Sequence, residues 1–143
     1  MRYGRITIAA FAATVAYYIF GSVGGFLSAS YYSAYAAIFR PRELIMNYMS
    51  LGFAGTFIAM FVIATIYARG YKGKGGAEEG LRFGVLIGLF VVFASVVHDF
   101  VILNIGLDLA LVQALGELVG WTLSGIVIGL VYRPLPTSTR SDA

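Results

Sequence analysis

Residues 81–103 read LRFGVLIGLFVVFASVVHDFVIL, and Arg82 and Asp99 are the only residues in the stretch with a fixed charge. A bilayer core of about 30 Å needs roughly 20 apolar residues as helix, so this run is long enough to cross one. Three more runs share its character: Ile6–Leu27, Tyr48–Ala68 and Ala110–Tyr132. Backbone groups cannot stay unpaired in lipid, so each run is expected to be a helix. The alternation of an outer-membrane barrel strand is absent. The expected fold is therefore all-α: an integral membrane four-helix bundle over residues 1–133. A polar tail, 134–143, carries Pro134 and Pro136 and is expected to be disordered.

Composition agrees. The 143 residues are 59% hydrophobic and 12% charged, where soluble chains carry about 25% charged residues. Mean hydropathy is +0.85. These values exclude a disordered chain, a nucleic-acid binder and a disulfide-stapled secreted domain. Cysteine is absent, which removes thiol redox chemistry, Cys-ligated zinc and iron–sulfur clusters. The first run holds 22 residues, longer than the roughly 7–15 of a signal-peptide core, so it is expected to be a retained helix.

The ten basic residues orient the chain. Arg2 and Arg5 precede the first run; Arg69, Lys72, Lys74 and Arg82 lie between the second and third; Arg133 and Arg140 follow the fourth. Only Arg40 and Arg42 stand on the other side. Basic residues favour the cytoplasmic face, so both termini and the central loop are expected there. The net charge of +3 then reports topology, with no nucleic-acid partner.

Two connections stand out. Gly70 to Gly76 is a glycine-rich basic turn, followed by Glu78 and Glu79, which suit a helix N-terminus. Between the first two runs, Tyr31, Tyr32, Tyr35 and Phe39 precede Arg40-Pro41-Arg42-Glu43. Pro41 suits the first turn of a helix extending the second run outward. The aromatic stretch fits either a belt at headgroup level, with the arginines reaching phosphates, or a cap folded over the bundle mouth.

At 100° per residue, small and polar residues form stripes. Thr7, Thr14, Gly21 and Ser28 align on the first run, with Tyr18 and Gly25 beside them; Asn47, Ser50, Ala54 and Thr65 align more weakly on the second. Gly84, Gly88, Ser95, His98 and Asp99 share a face of the third, and Gln113, Gly116, Glu117, Gly120 and Ser124 a face of the fourth. Close packing over small residues drives such helices together. The packing pairs are Gly21/Gly25, Gly84/Gly88, Gly116/Gly120 and Gly125/Gly129. The last pair lies opposite the polar stripe, on a face open either to lipid or to another subunit. The second and fourth runs close alike, on Tyr67 and Tyr132 each followed by Arg, as expected of interfacial tyrosines with snorkelling arginines.

Ionisable groups inside a span are costly and point to function. They are His98, Asp99 and Glu117, with Gln113 nearby. The antiparallel third and fourth helices bring them to similar depth, so a His98–Glu117 contact is expected. The set fits a buried polar latch, with Arg40 or Arg42 folding in, or a proton-coupled or polar-solute site titrating at Glu117. A third role, His98 as a metal or haem ligand, lacks the usual partner ligands. No catalytic motif, metal cluster or cofactor signature is recognisable.

The cytoplasmic turn, from Ile66-Tyr67-Ala68-Arg69-Gly70-Tyr71-Lys72-Gly73 to Glu79-Gly80-Leu81-Arg82-Phe83-Gly84, resembles a family of small bacterial inner-membrane proteins. These share an aromatic–Arg outer segment, here Phe39-Arg40-Pro41, and a closing Tyr132-Arg133-Pro134. The resemblance implies four helices and a cytoplasmic membrane and assigns no activity. The expected function is an accessory or assembly subunit acting through helix–helix contacts, as a homo-oligomer or within a larger membrane complex. The alternative is a small proton-coupled transporter or membrane sensor centred on Glu117 and His98.

Overall fold

A computed structural model describes residues 3–71, the side chain of Arg42 excepted, and residues 76–132. These are 91% helical, with no strand among them. Four helices are long and apolar enough to cross a membrane. They are α1 (Tyr3–Leu27), α3 (Arg42–Gly70), α4 (Gly76–Ile102) and α5 (Leu107–Val131). A short α2 (Ala29–Ala34) and a 3-10 turn (Ala36–Ile38) connect α1 to α3. The tail 134–143 and the basic residues Arg2, Lys72, Lys74, Arg133 and Arg140 lie outside the described residues.

The helices start earlier than hydropathy alone places them. Pro41 immediately precedes α3, and its carbonyl accepts the Ile45 N–H at 3.1 Å, so the ring's fixed φ starts the helix at no hydrogen-bond cost. Its Glu43 lies in the first turn, as Glu78 and Glu79 do in α4, where a carboxylate meets the positive end of the helix dipole. An Arg82–Glu78 pair at 2.6 Å is fully in reach of water and adds little.

By backbone proximity the helices follow the order α3, α1, α5, α4, and side chains of α3 close back onto α4 at one end. Ile6, Ala10 and Ala13 of α1, Met60, Ala64 and Tyr67 of α3 and Ile128 of α5 form the main core. It lies entirely toward the end that carries the termini. Tyr67 is buried there against Phe83 at 5.4 Å and Tyr132 at 6.2 Å between ring centroids. It joins the core, and its hydroxyl donates to the Gly76 carbonyl at 3.3 Å. On α3 the weak polar stripe is not the packed one: Asn47, Ser50 and Ala54 are exposed, and Met60, Ala64 and Tyr67 are buried.

The α4–α5 hairpin is the tightest contact. Gly76, Gly80, Gly84 and Gly88 are buried at every fourth position of α4. A Cβ on Gly84 would stand 2.7 Å from the Thr122 carbonyl oxygen, and one on Gly125 2.5 Å from Gly84 Cα. Gly129 meets Gly76 and Gly80 in the same way. The Gly125/Gly129 face is thus spent inside the chain, where helix backbones approach over small residues. By contrast, Gly21, Gly25 and Gly116 have nothing within 4 Å of a Cβ position.

Within α4, Val92–Val96 form a π turn, in which the Val97 N–H reaches the Val92 carbonyl. One extra residue in a turn advances the register by about 100°. Val96, rather than Ser95, therefore continues the buried stripe of Gly84 and Gly88. Asp99 takes the direction an unbroken helix would give His98, and His98 turns outward and is exposed.

Candidate functional site

Away from the core end, α1, α4 and α5 part around a half-open cavity of about 660 Å³. Contact between α4 and α5 thins beyond the π turn, and the space opens there. Glu117 lies ten positions into α5 and Tyr17 ten before the end of α1, so both sit about 15 Å from their helix ends at 1.5 Å per residue. The Tyr17 hydroxyl donates to Glu117, 3.1 Å from Oε2 and 3.3 Å from Oε1. Trp121, one turn along α5, donates its indole N–H to Oε2 at 2.8 Å. The Tyr17 and Trp121 rings lie 5.4 Å apart, and Tyr17 also closes over Gly120, whose Cβ would come 3.1 Å from the ring. Two donors converging on one oxygen match a carboxylate, an acceptor with about four lone-pair sites.

Asp99 and Gln113 line the same cavity nearer its open end. Of the expected polar cluster the structure therefore unites Asp99, Gln113 and Glu117 and leaves His98 outside. The partners of Glu117 are Tyr17 and Trp121, in place of the expected histidine. Both aromatics stand in plain view in the sequence; the signal for Trp121 is its i, i+4 spacing from Glu117. Arg40 does not enter either. The Arg40 guanidinium lies 4.8 Å over the Tyr48 ring, on α3, across α1 from the cavity. The side chain of Arg42 lies outside the described residues.

The aromatic connection caps the cavity. Tyr31 and Tyr32 line its mouth, and Tyr32 stacks with Phe39 at 5.5 Å. Tyr35 ties this cap to the α4–α5 turn: its hydroxyl donates to Asp108 Oδ1 at 3.0 Å and accepts the Gly106 N–H at 3.0 Å. Beneath it, Ile105, Leu109 and Ala110 make a small second core with Tyr32 and Tyr35. Burial, and then the nearby Glu117, push the Tyr32 hydroxyl above its ordinary pKa. The hydrogen bond to Asp108 does the same for Tyr35.

Toward the core end the space is closed by packed side chains. The buried hydroxyls there, Thr14 and Ser124, bond to the carbonyls of Ala10 and Gly120 in their own helices, each at 2.8 Å, and so present nothing to a guest. Among the described residues, no three of His, Cys, Asp and Glu converge as a metal site would need. Chemically, the arrangement is a half-open pocket with a fixed anionic pole. Nothing matches the chain in comparisons with family models, curated proteins or solved structures.

Proposed function

We propose that this chain is a multi-pass protein of the bacterial cytoplasmic membrane whose Glu117 pocket binds a proton or polar guest from the side opposite the termini. It would act as a small proton-coupled transporter or membrane sensor. The observation that carries the proposal is Glu117, held by Tyr17 and Trp121 on the wall of a 660 Å³ cavity. An ionisable group at that depth is costly unless it is used. Its fixed donors hold the carboxylate in one place on the cavity wall. Membership of the family that the glycine-rich turn resembles belongs to the same proposal.

The orientation rests on charge. Arg5, Arg69 and Arg82 stand toward the core end and Arg40 toward the cavity end, so the basic-inside tendency puts the termini in the cytoplasm. Because the chain has no cysteine, single cysteines at Ser28 and Ala77 can be labelled with an impermeant maleimide in whole cells. Labelling of the first alone is expected, and the reverse pattern overturns the orientation.

The site itself is tested through Trp121, the only tryptophan. Its emission is expected to shift with pH in the parent and to stay flat in Glu117→Gln, which preserves the shape and an acceptor oxygen. Identical titrations would remove Glu117 from the mechanism. A role as an accessory subunit or homo-oligomer keeps one supporting observation: Asn47, Ser50 and Ala54 are exposed along α3, a polar side that another helix would cover. Native mass of the protein extracted in mild detergent, with every co-purifying chain identified, tests it.

A further inference from the structure

The Glu117 pocket carries a charge balance that narrows its guest. Two carboxylates, Asp99 and Glu117, line it, and among the described residues no lysine, arginine or histidine does. Arg40 is engaged with Tyr48. The Tyr17 and Trp121 donors satisfy one side of Glu117 without cancelling its charge, and a carboxylate's four acceptor sites leave room for a further donor. Apart from the neutral polar Ser28, Ser95 and Gln113, the remaining side chains are apolar or aromatic, Phe20, Val112, Leu115 and Val119 beside the rings of Tyr31 and Tyr32 among them. Gly21, Gly24 and Gly116, with no atom within 4 Å of a Cβ position, leave the space empty.

We propose that the cavity takes an amphipathic monocation, a protonated amine on an apolar body, with its ammonium on Glu117. This rests on the pocket reading above and names the class of its guest. The anionic pole repels carboxylates and phosphates. Apolar walls reward a hydrophobic body, and aromatic faces at the mouth attract a cation on entry. The volume falls within the roughly 300–1,000 Å³ of pockets that enclose drug-sized ligands. An amine-headgroup lipid shares the ammonium. However, its phosphate would face Asp99, and its headgroup would have to descend about 15 Å from the helix end to reach Glu117. A free amine is the occupant this geometry favours.

The test uses the purified full chain in nonionic detergent with three probes of one shape: 1-naphthylmethylamine, 1-naphthylmethanol and 1-naphthoate, measured by equilibrium dialysis. The amine is expected to bind about tenfold or more tighter than the alcohol, the ratio that one hydrogen bond to a charged group supports. The carboxylate is expected not to bind. Glu117→Gln should lower amine affinity by a similar factor. Gly116→Leu, which fills open space, should abolish binding while leaving the Trp121 emission spectrum native. Equal affinity for amine and alcohol, or an amine affinity indifferent to both substitutions, overturns the proposal. Amine affinity that falls when phosphatidylcholine is replaced by phosphatidylethanolamine, in nanodiscs of equal phosphatidylglycerol content and so of equal surface charge, makes the occupant a lipid and also overturns it. The pH titration of Trp121 stands apart: if it depends on Glu117 and no amine binds, the proton site survives and only the guest class falls.

Discussion

The Tyr17 hydroxyl stands 3.1 Å from Oε2 of Glu117, joining the first long helix to the last at a carboxylate that also holds the chain's single tryptophan. The bond crosses between α1 and α5 where the packed core gives way to the cavity, so one contact reports on both fold and pocket.

Removing that hydroxyl should be costly in proportion to the charge it serves. Tyr17→Phe keeps the ring over Gly120 and leaves Glu117 with Trp121 alone; about 1–3 kcal/mol of stability is expected to go, the worth of a hydrogen bond to a charged group. Glu117→Gln should cost less, because an amide oxygen still accepts both donors, at roughly half the strength. The double variant should fall short of additivity by about 1 kcal/mol or more, as directly bonded neighbours do. Thermal unfolding in detergent, followed by Trp121 emission, measures all three. Strict additivity would separate the two residues.

The glycines divide into two kinds with opposite expectations. Gly84→Ala and Gly125→Ala put a methyl against helix backbone, which cannot move aside cheaply. A loss of about 1–3 kcal/mol is expected, in the range for overpacking. Gly21→Ala and Gly116→Ala enter open space and should leave the melting temperature unchanged, or raise it slightly through helix propensity. Because Gly129 packs on Gly76 and Gly80 within the chain, Gly129→Leu should unfold the hairpin at every protein concentration. A concentration-dependent effect would return that face to subunit contact.

Alkaline pH should release the cap. The bond to Asp108 favours protonated Tyr35 and raises its pKa above the ordinary value of about 10. A group so raised contributes its stability fully below the unfolded pKa and loses it as pH climbs through the folded one. Proteolysis within residues 28–39 is therefore expected to be slow at neutral pH and to accelerate above about pH 10. In Tyr35→Phe it should be fast throughout. If both chains are cut alike at pH 7, Tyr35 does not hold the cap.

Much of this architecture is legible in the residues. The four apolar runs mark the helices, because a span has to be long, apolar and internally hydrogen-bonded. The spacing of glycines in α4 and α5 marks the surfaces over which those helices close. Depth along a helix is arithmetic, and it places Asp99, Gln113 and Glu117 toward one end. Two things are hidden. The residues facing Glu117 include Tyr17, a hundred positions away, and periodicity within one helix says nothing about which neighbour it meets. The register of His98 depends on a π turn in Val92–Val96, a stretch with neither Gly nor Pro to mark it.

That π turn makes a sharp prediction of its own. A π turn is an α-helix carrying one residue too many, so deleting one of its residues should restore an unbroken helix without rotating the helix beyond it. Deletion of Ala94, exposed within the turn, is expected to leave Val96 packed, Asp99 on the cavity and His98 outside. The variant should keep the Trp121 emission and pH titration of the parent. Deletion of Ile87, in regular helix before the turn, leaves the surplus residue downstream, so the residues between the deletion and the turn rotate by about 100°. Gly88, which packs on Leu118, should lose its fit to α5. If the Ala94 deletion proves the more damaging of the two, α4 runs as a plain helix in the folded protein. His98 would then face the cavity beside Glu117.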